Sequence, residues 1–187
     1  MNIEPSGRHG ATNTRQRAQG SKHKATSTGQ QTQGNEHRAP DAGYQEKDKM
    51  ALSDKYQILN FNEYGDERGN LVVAEGGGMD VPFDIKRVFY LYGTDSEKVR
   101  GQHANRITRF VLINVAGTSK VRVDDGFESK VIELNKPRMG LLIETMVWKD
   151  MYDFSPDSVL LCLASEHYIG DEYIRDYDTF IKEVRGE

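Results

Sequence analysis

From residue 55 onward the chain is a succession of short apolar runs, spaced roughly every ten residues and parted by turn signals. The runs lie at 56–61, 70–74, 87–92, 110–115, 120–123, 131–134, 140–143, 146–151 and 159–164. Runs this short, rich in β-branched and aromatic residues, read as strands rather than helices. Asp124-Asp125-Gly126 closes one run before another begins, and an Asp-Gly pair there predicts a hairpin, because Gly supplies the positive φ of a tight turn. Pro82, Pro137 and Pro156 fall between runs, where a missing N–H does no damage. Only the end changes period. Tyr173, Ile174, Tyr177, Phe180, Ile181 and Val184 recur at helical spacing, which predicts one amphipathic helix over 171–184. Many strands and one terminal helix make an all-β sandwich or barrel, with a double-sheet jelly roll as the expected form.

Composition sets the first 49 residues apart. Met1, Ile3 and Tyr44 are their large apolar side chains, and the remainder is Gly, Ser, Thr, Gln, His and charge. Such a segment buries too little surface to offset its ordering entropy, so 1–49 is expected to be a disordered tail. It lacks the apolar core of a signal peptide. Met50 stands where the polar tract stops and marks the expected start of the working domain, 50–187. That domain holds 17 basic and 24 acidic residues, a net charge of −7, which argues against nucleic-acid binding. No run approaches the ~18 apolar residues that span a bilayer. The single Cys162 lies within an apolar run and reads as a small buried hydrophobe. One cysteine builds no disulfide framework, consistent with a cytoplasmic home. Gly76-Gly77-Gly78 is followed by no Lys-Ser/Thr and opens no helix, so it reads as a loop rather than a phosphate cradle.

The specific signals come in three stretches. They are Pro82-Phe83-Asp84-Ile85-Lys86-Arg87-Val88-Phe89-Tyr90, then Arg100-Gly101-Gln102-His103-Ala104-Asn105-Arg106, then Val123-Asp124-Asp125-Gly126. With Trp148, Met151, Phe154-Ser155 and Tyr173-Ile174-Arg175-Asp176-Tyr177, this ordered set resembles the sugar-nucleotide 3,4-ketoisomerases of the cupin superfamily, the WxcM-like proteins, over about 57–181. The resemblance implies a cupin double-stranded β-helix, a homodimer, and a dTDP-linked 4-keto-6-deoxyhexose as substrate. The implied reaction moves the ketone from C4 to C3 without a cofactor, on the way to deoxysugars of surface polysaccharides. A base takes the C3 proton, an enediol forms, and a proton returns at C4.

Many cupins hold a metal with three histidines and a carboxylate. Here the matching stretch offers His103, with Asn105 and Arg109 behind it, and 137–149 contains no histidine. One ligand makes no such site, so the fold is expected to be metal-free. The ketoisomerases typically show Arg-Gly-x-His-Ala-His-Lys, and this chain has Asn105 at the second histidine. An amide cannot take up a proton near neutral pH. Phe110 also stands where Gln is common, and Lys149 and Tyr152 where His is often found. Three readings follow: His103 acts as base with Tyr90 as donor to the ketone oxygen, Lys149 acts as base, or the protein binds a sugar nucleotide without catalysis. The resemblance carries over His103 and Tyr90 as catalytic residues. It carries over Arg87, Arg100, Asn105, Arg106, Trp148 and Lys149 as substrate contacts.

Overall fold

The computed structural model describes residues 51–78 and 80–187; the tail expected at 1–49 lies outside the described residues. Two five-stranded antiparallel sheets face each other, as expected of a jelly roll. With strands numbered along the chain, one sheet runs β1 (Tyr56–Asn60), β9 (Met139–Ile143), β6 (Phe110–Ala116), β11 (Val159–Ala164), β4 (Arg87–Tyr92). The other runs β12 (Tyr173–Ile174), β5 (Arg100–Asn105), β10 (Trp148–Tyr152), β7 (Ser119–Asp124), β8 (Ser129–Leu134). A separate ribbon pairs β2 (Glu63–Asp66) with β3 (Gly69–Val72). The helix is α1 (Tyr177–Arg185).

Period-2 alternation sorts each strand's side chains between two clusters. Phe110, Leu112, Leu141, Ile143, Leu160, Cys162 and Ala164 point from the first sheet toward Val121, Val123 and Met151 of the second, and all are buried. Their neighbours Val111, Ile113, Leu142 and Leu163 face outward and are covered by Phe61, Val81 and Phe83 from the chain before β4. The outer face of the second sheet is covered by α1. Phe180, fully buried, packs there with Ala104, Trp148 and Ile174, a burial worth about 2–3 kcal/mol for the Phe ring alone. The hairpin expected at Asp124-Asp125-Gly126 joins β7 to β8. Gly126 adopts φ +87°, and the Asp125 carboxylate accepts from the amides of Phe127 and Glu128.

One expectation is corrected. The helix is shorter than 171–184: it begins at Tyr177, where the Asp176 side chain caps it by accepting from the Thr179 amide at 2.8 Å. Tyr173 and Ile174, which continued the helical spacing, instead form β12 and pair with Asn105 and Ala104. β5 stands apart from the apolar runs because five of its six residues are polar or Gly. Sheet pairing on both sides makes it a strand, and its polar side chains form the site.

Candidate active site

A bulge in β5 places the first functional side chains. Lys149 of β10 pairs with His103, but Asp150 pairs with Gly101, so Gln102 is an extra residue in β5. Both bulge residues have positive φ, +85° at Gly101 and +52° at Gln102. A Cβ on Gly101 would meet the Lys149 carbonyl oxygen at 2.6 Å, so the position requires glycine twice over. The consequence is geometric. Residues three apart in a regular strand face opposite ways, yet here Arg100 lies opposite Met151 and His103 opposite Lys149. Met151 belongs to the inter-sheet core, so Arg100, His103 and, two residues on, Asn105 share the inner face.

His103 is half-buried, and its Nδ1 lies 2.8 Å from the Gly101 carbonyl oxygen. A carbonyl only accepts, so Nδ1 carries the proton and Nε2 presents a lone pair. Burial, reinforced by the Lys149 ammonium, pulls the His103 pKa down to about 4, against the opposing pull of the bond to Gly101. Lys149 itself is 3% exposed. Its Nζ donates to Asn105 Oδ1 at 2.6 Å and lies 4.8 Å from the centre of the Phe110 ring. Burial drops its pKa to about 7, with Glu172 opposing. Asn105 is also buried, and its Nδ2 has no hydrogen-bond partner among the described residues. Cys162 is buried in the core as expected, its thiol pushed up to about 12.

Beside His103 stands a wall of rings and guanidinium groups. The His103 and Tyr173 rings are 4.9 Å apart, and Tyr168 is 5.5 Å from Tyr173. Arg87 donates from Nη2 to the Tyr173 hydroxyl at 3.4 Å and lies over the rings of Phe89 and Tyr168. Its Nε is buried without a partner among the described residues. Arg175 lies over the other side of Tyr173, 4.7 Å from the ring centre. The Glu172 carboxylate behind this wall is buried, accepting from the amides of Ile107 and Thr108 and from the Thr108 hydroxyl.

The structure brings together His103, Asn105, Lys149 and Arg87, sets Arg100 on the same face of β5, and places three expected residues away from His103. Tyr90 lies on the outer face of β4. Arg87, Phe89 and Leu91 pair with Ala164, Cys162 and Leu160 of the inner cluster, which turns Val88, Tyr90 and Tyr92 outward, with Tyr90 61% exposed. Alternation had separated the two sets without saying which was inside. Arg106 is engaged elsewhere: its guanidinium pairs with Glu183 of α1 and donates to the Asp171 carbonyl, tying the helix to β5. Trp148 lies on the outer face of β10 beneath α1, edge-on to Tyr177, with its Nε1 donating to Asp150. It touches neither His103 nor the barrel interior. In their place come Tyr173 and Arg175, which the sequence had assigned to a helix or its anchoring. Only the pairing of β12 with β5 swings them to His103.

Known proteins decide the family. The FdtA family model (WxcM-like, C-terminal) matches residues 54–185. The chain belongs to the FdtA family. Within or beside that family, the chain is 41% identical over 128 residues to a TDP-4-oxo-6-deoxy-α-D-glucose 3,4-oxoisomerase of Aneurinibacillus thermoaerophilus, covering 68% of this chain and 91% of that one. A crystal structure of a 3,4-ketoisomerase from Helicobacter canadensis superposes with a TM-score of 0.67 at 42% identity, covering 70% of this chain and 97% of that one. A second, from Thermoanaerobacterium thermosaccharolyticum, superposes with a TM-score of 0.69 at 41% identity, covering 71% and 96%. That protein is a variant with one histidine replaced by asparagine, in complex with TDP-4-keto-6-deoxyglucose. Among the described residues, no three His, Cys, Asp or Glu side chains group as a metal site would need, and no helix is long and apolar enough to cross a membrane.

The Lys149 site has a measurable cost. Between pH 7 and 10.5 the unfolded chain binds a proton at Lys149 that the folded chain releases, so wild-type stability rises with pH across that window. Lys149→Met removes the buried ammonium and is expected to melt above wild type at pH 7, with the gap narrowing toward pH 10. Differential scanning calorimetry at both pH values reads it; a gap independent of pH contradicts a depressed lysine.

Proposed function

We propose that this protein is a cofactor-independent 3,4-ketoisomerase acting on a TDP-4-keto-6-deoxyhexose. The observation that supports it best is the His103 ring, fixed by Gly101 so that an unprotonated Nε2 faces the space between the sheets. Moving a ketone to the adjacent hydroxyl-bearing carbon is redox-neutral and needs only proton transfers. His103 Nε2 takes the C3 proton, leaving an enediolate whose charge rests on O4. The O3 proton passes to O4 within the enediolate, and Nε2 returns its proton to C4, giving the 3-keto sugar.

The Tyr173 hydroxyl, which accepts from Arg87 and so directs its own proton outward, takes the role expected of Tyr90 as donor to the ketone oxygen. Arg87, Arg175 and Arg100 supply the positive charge for the diphosphate, Arg87 through the Nε that has no partner among the described residues. Asn105 and Lys149 form the floor of the site. The place of the work is the cytoplasm, where nucleotide sugars are made. The partner is a second copy of this chain, docked on the outer face of the edge strand β4, where Val88, Tyr90 and Tyr92 lie exposed side by side.

Two measurements test this reading. Proton NMR of TDP-4-keto-6-deoxyglucose with the full chain is expected to show loss of the C3 proton signal and growth of a 3-keto sugar, and His103→Asn to slow its formation by a factor of about 10²–10⁴. Binding without loss of the C3 proton signal would make the protein a sugar-nucleotide carrier instead. Sedimentation equilibrium is expected to return twice the chain mass; the mass of one chain would remove the dimer.

A further inference from the structure

His103 has one free nitrogen, and the groups around it decide whether that nitrogen is unprotonated when a substrate arrives. Four titratable or charged groups face it: Lys149 directly across on β10, Glu172 from the turn before β12, Tyr173 on β12, and Arg175 just after it. Arg175 is exposed, so solvent screens it. The Glu172 carboxylate is taken up by three hydrogen bonds to Ile107 and Thr108.

Lys149 differs from both. It is buried, and among the described residues no carboxylate lies within ion-pair distance of it. Its two close partners, the Asn105 amide oxygen and the face of Phe110, are neutral. Cys162, on β11 of the facing sheet, is a neutral thiol. A cation placed in a dry site without a counter-ion is costly, and so is the unpartnered Asn105 Nδ2. The two costs are linked. An ammonium only donates, so it holds the amide with Oδ1 toward Nζ and leaves Nδ2 facing away. The arrangement places a positive charge beside His103 below about pH 7, with Glu172 the carboxylate that favours keeping it.

We propose that Lys149, clamped by Asn105, is a positioning residue for His103, whose ammonium keeps the imidazole neutral with Nε2 open and makes the imidazolium short-lived once Nε2 has taken the C3 proton. This rests on His103 being the base. The ammonium favours return of the proton to C4 over its retention on the ring. The direction of the His103 shift agrees, with Lys149 second only to burial among its causes.

The test is the carbon-13 titration of His103 in the ligand-free full chain, its signal assigned among the five histidines by loss in His103→Asn. In wild type the midpoint is expected below pH 5. Lys149→Met is expected to raise it by about one unit. Lys149→Arg, which keeps the charge, is expected to hold it low. Asn105→Asp, which gives the ammonium a counter-ion, is expected to raise it. The acid limb of the kcat/KM profile should move with the midpoint. A midpoint unchanged in Lys149→Met, or raised equally in Lys149→Arg, overturns the proposal. Because the titration is read without substrate, its outcome stands apart from whether the sugar assigned above is the right one.

Discussion

The pairing of His103 with Lys149 across β5 and β10 is the contact on which the site depends, and the bulge at Gly101–Gln102 creates it. Without the extra residue, Arg100 and His103 would face opposite sides of the sheet, and the ring would lose the carbonyl that fixes its tautomer. The bulge is held from both directions. The Lys149 carbonyl lies where a Cβ on Gly101 would sit, and Gln102 accepts a φ that few side chains tolerate. A rigid double sheet supports it, with apolar residues buried on the inner and outer faces of the strands beside it.

The electrostatics follow from that placement. Two nitrogen bases on adjacent strands, both removed from water, cannot both carry charge cheaply. The histidine yields, and its pKa falls further below the ordinary value of 6.5 than burial alone would bring it. The arginine and tyrosine wall then gives the free Nε2 an anionic ligand's neighbourhood: Arg87 and Arg175 flank Tyr173, and Tyr173 lies against the histidine. Each element contributes one group, with β5 carrying His103, β10 the buried Lys149, β4 Arg87, and β12 the Tyr173 ring.

Much of this was legible in the sequence. Short runs and turn residues point to the jelly roll, and the Arg-Gly-x-His stretch marks the strand whose inner face carries His103. What sequence spacing could not decide was facing. In β4 the alternation separates Arg87, Phe89 and Leu91 from Val88, Tyr90 and Tyr92, yet both sets hold large aromatic or apolar groups, so Tyr90 was placed inside when packing puts it outside. Trp148 and Lys149 pose the same problem one residue apart: the apolar residue went outward under α1, and the charged one went into the core. Arg106 is tied up by Glu183, 77 residues away, a partner that no local signal announces, while Arg175 reaches His103's neighbourhood only through the long-range pairing of β12 with β5. Helical spacing at 173–177 concealed β12, whose two pairings with β5 are a tertiary fact without local signal.

The central claim is that the ligand lies between the sheets, against the inner face of β5 and β4. The most direct measurement is a nitrogen-15 and carbon-13 shift map of the protein titrated with TDP. The account predicts perturbations centred on Arg87, His103, Tyr173 and Arg175, with Trp148 and Tyr90 unmoved or moved only weakly. Perturbations centred on Tyr90 and Tyr92, or on the loop at Gly76–Gly78 with His103 silent, would contradict it.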